Sequence, residues 1–161
     1  VQSNKPILGV IYWPTEDKLY VAQKNDGAYE LFSEHWKKLS VSNISNLENC
    51  HAVLSRHHLS ELDKKLINKL NLLEFNQRGS SLKVIDICCG KAEIYLTTTT
   101  KIKQWDTSAS YCLITESGGK MTDLNGQDLE FNTKLINHKD GILVTNGLVH
   151  SEIVKEYSKF Q

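Results

Sequence analysis

Asp106 is the strongest metal-binding candidate in this chain of 161 residues. It belongs to Trp105-Asp106-Thr107, which opens a predicted helix that Gly118-Gly119 closes. A carboxylate in the first turn of a helix is stabilised in its charged form by the helix dipole, and its oxygens are hard ligands suited to Mg²⁺. The residue also fits a plain N-cap, and local sequence leaves both interpretations open. We expect Trp105 to be an anchor for Asp106 rather than a stacking platform.

A second candidate site combines hydroxyl groups with an ammonium. Gly79-Ser80-Ser81 precedes an apolar run that begins at Leu82, and Lys83 follows directly. Backbone amides at a helix start, two hydroxyls and a lysine could hold a phosphate. The spacing lacks the frame of a P-loop. A capped helix with a surface lysine therefore remains the alternative.

Arg56-His57-His58 is a third candidate, because it follows a predicted strand at 52–55. Open α/β sheets bind ligands beyond the carboxyl ends of their strands. Adjacent histidines do not share a helix face, so a zinc site of two histidines is not expected. A polar loop without a ligand is the alternative interpretation.

The elements that must position these residues fall into two groups. Residues 6–13, 19–23 and 28–32 predict an antiparallel meander, with a turn at Asn25-Asp26-Gly27. We place a domain boundary near residue 40, which divides the chain into 1–40 and 41–161.

Beyond residue 50, predicted strands alternate with predicted helices, which indicates an α/β arrangement with a parallel or mixed sheet. A helix is predicted from the leucine stripe between Leu59 and Leu73, with Ser60 as N-cap and Asp63 in the capping-box position. The run from Leu82 to Cys89 fits helix or strand by propensity, and the preceding serine favours helix. Further strands are predicted at 92–96, 120–122 and 141–145, and a last helix from Val149.

Charge and composition exclude several classes of protein. Nineteen basic residues balance nineteen acidic ones, so the basic excess of a protein that binds a nucleic acid polymer is missing. No apolar run reaches the ~18 residues of a membrane helix, so no transmembrane segment is expected. The four cysteines show no metal or disulfide spacing, and we interpret them as reduced thiols in a cytoplasmic protein.

Two motifs resemble the inositol monophosphatase family. Trp105-Asp106-Thr107-Ser108-Ala109, followed in register by Glu116-Ser117-Gly118-Gly119, resembles its second signature, and 9–14 with 19–28 resembles the strands before it. Ser55-Arg56-x-His58, 79–83 and 93–96 resemble the 3'(2'),5'-bisphosphate nucleotidase (CysQ-type) branch. That branch usually has an Arg where Thr97 stands here.

The resemblance implies particular roles for four residues. His58, Ser80 and Lys83 would contact the nucleotide and its phosphate, and Asp106 would bind both Mg²⁺ and substrate. The family's upstream Glu and Asp-Pro-x-Asp-Gly-Thr metal motif does not occur in these residues. The chain therefore resembles a C-terminal portion, with no complete catalytic set and with an N-terminal domain missing upstream.

The implied fold is the C-terminal α/β domain of the sugar-phosphatase fold, with a few antiparallel strands of a preceding α+β domain. The implied reaction is Mg²⁺-dependent hydrolysis of a small phosphomonoester, here 3'-phosphoadenosine 5'-phosphate, by a longer protein. Members of the family are often monomers or homodimers, so the resemblance leaves a homodimer open. Two alternatives stay open: an inositol or sugar monophosphatase of the same family, and a non-catalytic nucleotide- or phosphate-binding module.

Overall fold

The structure, a computed structural model, describes residues 1–56 and 59–160. Within them the chain forms two β-sheets and four α-helices. The strands are β1 (Leu8–Trp13), β2 (Lys18–Gln23), β3 (Gly27–Phe32), β4 (His35–Lys38), β5 (His51–Ser55), β6 (Glu74–Arg78), β7 (Ile94–Thr97), β8 (Lys120–Thr122) and β9 (Ile142–Thr145). The helices are α1 (Glu61–Lys69), α2 (Leu82–Cys88), α3 (Gln104–Glu116) and α4 (His150–Ser158).

The first sheet is an antiparallel meander in the order β1-β2-β3-β4, which confirms the three strands predicted for it. The fourth strand was not predicted. Its two-residue turn, Ser33-Glu34, adopts positive φ values of 48° and 68° without the Asn or Gly that usually signals such a turn. All four residues of β4 are exposed, so the strand also lacks an apolar alternation.

The second sheet is mixed, in the order β6-β5-β7-β9-β8. β5 runs parallel to both β6 and β7, whereas β9 is antiparallel to β7 and β8. Helices alternate with these strands along the chain as far as β8, and β9 follows β8 without a helix between them, which confirms the predicted α/β arrangement. The boundary near residue 40 falls just after β4 and stays a prediction.

The predicted capping box of α1 is confirmed. The Ser60 hydroxyl accepts the backbone N–H of Asp63 at 2.9 Å, and Asp63 Oδ2 accepts that of Ser60 at 3.0 Å. The other Asp63 oxygen accepts the Thr98 N–H at 2.7 Å, which ties α1 to the end of β7. The helix ends at Lys69, short of the predicted leucine stripe, because Asn71 turns left-handed with a φ of 49°.

Helix α3 packs between the two sheets. Its Cys112 and Leu113 share one hydrophobic core with Tyr20 of the first sheet and Val144 of the second. At its C-terminal end Glu116 accepts the backbone N–H groups of two residues in the β2–β3 turn, at 3.0 and 3.1 Å. The position of α3 is thus fixed by both sheets at once.

Gly9→Ala is expected to destabilise the protein by about 2 kcal/mol, because overpacking this contact forces backbone to move. A Cβ on Gly9 would lie 2.3 Å from the carbonyl oxygen of Ala109 on α3. Gly79→Ala is the matched control, since its Cβ would have no described atom within 4 Å. Urea unfolding measures both variants, and equal free energies of unfolding would show that β1 and α3 are not in this close contact.

Candidate active site

A cavity of about 840 Å³ opens where the parallel strands end. Residues that follow β5, β6 and β7 line it together with the first turn of α3. This is the edge at which α/β sheets bind ligands, and the volume lies within the ~300–1,000 Å³ usual for small-molecule sites. The structure brings Ser80, Lys83 and Asp106 to this one cavity.

Lys83 is the buried cation of the cavity. Its Nζ donates a hydrogen bond to the Ser80 carbonyl oxygen at 2.8 Å and lies 5.0 Å from the centroid of the Tyr95 ring. Burial lowers the pKa of Lys83 to about 8. Among residues 1–56 and 59–160 it forms no ion pair. Lys83 is thus a buried ammonium without a carboxylate partner in these residues, and the alternative interpretation of a surface lysine is wrong.

Ser80 lies on the exposed loop between β6 and α2. Its φ of 48° is left-handed, which turns the chain sharply beside the cavity. The helix after it confirms the preference for helix over strand at 82–88. Ser81 occupies the N-cap position but makes no capping hydrogen bond, because its backbone is helical rather than extended.

Asp106 is the third residue of α3, and Lys103 rather than Asp106 holds the N-cap position. Asp106 Oδ2 accepts the backbone N–H of Lys103 at 2.9 Å. Within the described residues Oδ1 accepts no hydrogen bond, and the exposed carboxylate borders the cavity. One oxygen therefore fixes the side chain while the other remains available to a ligand.

A buried polar network holds the first turn of α3. His138 Nε2 lies 2.8 Å from the Thr107 hydroxyl, and the Gln104 amide donates to Thr133 and to the Leu135 carbonyl at 2.7 Å each. Burial lowers the pKa of His138, against a smaller opposing effect of the Asp106 charge. Sequence reasoning missed this network, because His138 lies in a segment without apolar periodicity.

The expectation that Trp105 is an anchor is wrong. The side chain is 61% exposed and lines the cavity, with Lys103 Nζ 5.1 Å from its ring centroid. In the first turn of α3 the buried positions are Gln104, directly before Trp105, and Thr107, two residues after it.

Charge in the cavity favours an anion. Arg56, Lys83 and Lys101 line it against the single carboxylate of Asp106. Thr97, at the position where the nucleotidase branch usually has Arg, is buried in the wall. The predicted substrate contact His58 lies outside the described residues, as does His57.

Asp106 is the one carboxylate among the described residues that line the cavity. Nowhere in the described part of the chain do three His, Cys, Asp or Glu side chains cluster as a metal site. Mg²⁺ often binds one or two protein carboxylates plus waters and substrate phosphates, so Asp106 fits as one ligand of such a site. In the same part of the chain, no helix is long and apolar enough to cross a bilayer.

Comparison with known proteins places this geometry in a family. The sequence model of the inositol monophosphatase family matches residues 1–160 of this chain. The chain belongs to the inositol monophosphatase family. The family signature resembled at 105–109 and 116–119 therefore lies on α3 and the turn after it.

Relatives within the family carry different names. A bifunctional NADP phosphatase/NAD kinase of Methanococcus maripaludis is 28% identical over 148 residues, which cover 91% of this chain and 26% of that protein. A 3'(2'),5'-bisphosphate nucleotidase CysQ of Buchnera aphidicola is 34% identical over 132 residues, 81% of this chain and 48% of its own length. The chain thus spans half or less of these two relatives.

A solved structure supports the fold of the inositol monophosphatase family. The IMPase of Thermotoga maritima superposes with a TM-score of 0.80, covering 99% of this chain and 58% of its own, at 23% identity. At that identity the likeness concerns the fold alone. It agrees with the mixed α/β sheet and the antiparallel strands described above.

Proposed function

We propose that this chain is the substrate-binding part of a Mg²⁺-dependent phosphomonoesterase that hydrolyses 3'-phosphoadenosine 5'-phosphate. The observation that carries the proposal is Lys83, a buried ammonium that borders the cavity and has no acidic partner in the described residues. A buried charge is costly unless it is paired, and an anionic substrate supplies the missing charge. Relatives named bisphosphate nucleotidase support the choice of substrate.

In this proposal Lys83 and Ser80 bind a phosphate group of the substrate, and His58 contacts the nucleotide. Arg56 and Lys101 add positive charge at the mouth of the cavity. Below pH 8 Lys83 is charged, and a bound phosphate would hold it so at higher pH.

Asp106 would hold Mg²⁺ through its available oxygen while its other oxygen stays on the Lys103 amide. The metal would neutralise charge on the reacting phosphate and activate water. The polar contacts of Thr107 and Gln104 keep the first turn of α3 in place, so the carboxylate is presented at a fixed position. One carboxylate does not make a complete catalytic site.

The remaining ligands would come from an N-terminal domain that precedes this chain. Residues 1–40 would be the end of that domain's sheet and residues 41–161 the C-terminal domain. The chain of 161 residues alone is then expected to bind substrate without turning it over.

Phosphate release tests the proposal. The 161-residue chain and the product extended upstream are assayed with Mg²⁺ on 3'-phosphoadenosine 5'-phosphate and on inositol 1-phosphate, with intact mass verified in each sample. We expect turnover of the nucleotide by the extended product only. Turnover by the 161-residue chain would contradict the proposal that this chain holds only part of the catalytic site. A preference for inositol 1-phosphate would show that the substrate is an inositol phosphate rather than the nucleotide.

A further inference from the structure

We propose that Arg78 is a positioning residue for the phosphate site. By holding the Asp86 carboxylate, it keeps Asp86 from pairing with Lys83 and so leaves the Lys83 ammonium available to the phosphate of a substrate. This inference rests on the proposed function and deepens it. It accounts for a buried ammonium and a buried carboxylate that lie on one helix without pairing with each other.

Lys83 and Asp86 lie three residues apart on helix α2. Side chains at that spacing are neighbours on one helix face, where opposite charges can form an ion pair. The two residues are 7% and 8% exposed, so water screens their attraction little. Asp86 is therefore the partner that the sequence of α2 offers to Lys83.

Asp86 instead pairs with Arg78. The Arg78 Nε donates to Asp86 Oδ2 at 2.8 Å, and the two side chains are 35% and 11% exposed. Lys83 Nζ donates to the Ser80 carbonyl oxygen, a contact that does not neutralise its charge. Burial lowers the pKa of Lys83 to about 8, as expected for an ammonium that no described carboxylate neutralises.

Two further elements hold Arg78 beside α2. Its carbonyl oxygen accepts the backbone N–H of Arg56 at 3.1 Å, where β6 runs parallel to β5. Its guanidinium carbon lies 5.5 Å from the centroid of the Trp13 ring at the end of β1, within the range of a cation–π contact. The position of Arg78 at Asp86 is therefore set by both sheets.

Loss of the Arg78 charge would leave the Asp86 carboxylate buried and unpaired. A buried charge without a partner is costly, so the carboxylate would turn to the ammonium on the same helix face. The new ion pair at Lys83 would then compete with the phosphate of the substrate. Neither Arg78 nor Asp86 is among the described residues that line the cavity, so the effect would act through Lys83.

The experiment compares single and double substitutions of the ion pair. Isothermal titration of the protein in its native length uses 3'-phosphoadenosine 5'-phosphate and, separately, inositol 1-phosphate, in Ca²⁺ to prevent turnover. Arg78→Gln is expected to raise the Kd for both ligands about tenfold, because both present a phosphate to Lys83. Asp86→Asn and the double variant should stay within about twofold of the unsubstituted protein, since neither contains the competing carboxylate. Arg78→Lys, which keeps a cation for Asp86, should do the same.

Lys18→Gln is the matched control. Lys18 pairs with Glu30 at 3.4 Å in the first sheet, and these side chains are 22% and 14% exposed, so the pair is about as buried as that of Arg78 and Asp86. Its loss should leave both dissociation constants unchanged. Circular dichroism and urea unfolding verify the fold of each variant, and Arg78→Met takes the place of Arg78→Gln if the glutamine variant does not fold.

An unchanged Kd in Arg78→Gln overturns this inference and leaves the proposed function standing. Equal losses in both single variants, with no recovery in the double variant, also overturn it, because the ion pair would then act by holding the loop at 79–81 in place. Binding of inositol 1-phosphate alone overturns the proposed substrate, and the Kd for inositol 1-phosphate in the same variants then decides the inference. Absence of binding of both ligands by the unsubstituted protein overturns both proposals.

Discussion

Asp106→Asn should lower kcat/KM of the complete enzyme by about 100-fold or more, with little loss of stability. The amide removes the negative charge that a hard cation requires, and an amide oxygen is a weaker ligand for Mg²⁺ than a carboxylate oxygen. The amide oxygen still accepts the Lys103 N–H, so the first turn of α3 keeps its capping contact. We therefore expect the free energy of unfolding to change by less than about 0.5 kcal/mol.

Asp123→Asn is the matched control for this substitution. Asp123 Oδ1 accepts two backbone N–H groups in a turn, at 2.9 and 2.8 Å, and the residue does not line the cavity. It should alter stability slightly and turnover not at all. Steady-state kinetics and urea unfolding of both variants separate the two roles, and near-normal rates in Asp106→Asn would rule it out as a metal ligand.

Acid should weaken the fold by about 2 kcal/mol between pH 7 and pH 5 through one buried histidine. His150, at the start of α4, has its ring nitrogens 2.9 Å from the hydroxyls of Thr122 and Thr145. Thr122 donates its own proton to the Asp123 carbonyl oxygen, so it accepts from Nε2–H. Nδ1 is then the acceptor for Thr145, and the neutral ring is fully satisfied.

Burial lowers the pKa of His150 to about 4, with the Lys120 charge acting in the same direction. The unfolded chain has a histidine pKa of ~6.5 and so binds the proton first. The contribution of neutral His150 to the free energy of unfolding is fully present above pH 6.5 and is lost as the pH falls toward 4. A proton on Nδ1 removes the acceptor for Thr145.

Urea unfolding across pH 5–7 measures this dependence. His150→Gln should reduce the loss in the free energy of unfolding between pH 7 and pH 5 by about 2 kcal/mol, because glutamine does not titrate. We expect this even if the substitution lowers stability at pH 7. His35→Gln, an exposed substitution on β4, should leave the slope unchanged. Parallel pH profiles for the unsubstituted protein and His150→Gln would contradict the assignment.

Local signals in the sequence were enough to predict most of the fold. The capping box at Ser60, the Asn-Asp-Gly turn before β3 and the apolar run of β9 each encode their structure within a few residues. β4 escaped prediction because tertiary pairing, not its own composition, makes it a strand. The end of α1 escaped because Asn71 is compatible with helix until its left-handed φ is known.

The candidate site was also predicted only in part from the sequence. Ser80, Lys83 and Asp106 were predicted from residue type and motif, and they do line one cavity. What sequence could not predict is burial: it left a surface position open for Lys83, which is buried, and it predicted an anchor at Trp105, which is exposed. The depth of a side chain depends on which segments converge there, and those segments are far apart along the chain.

The contacts of helix α3 with the first sheet limit which segments of this protein can be exchanged with those of a relative. It is about 20 Å long, with Asp106 at one end and Glu116, which holds the β2–β3 turn, at the other. The close contact of Gly9 with Ala109 lies along its length. A chimera that takes residues 1–40 from a relative would have to preserve these contacts with α3. The first sheet and the helix that carries Asp106 would therefore have to be exchanged together.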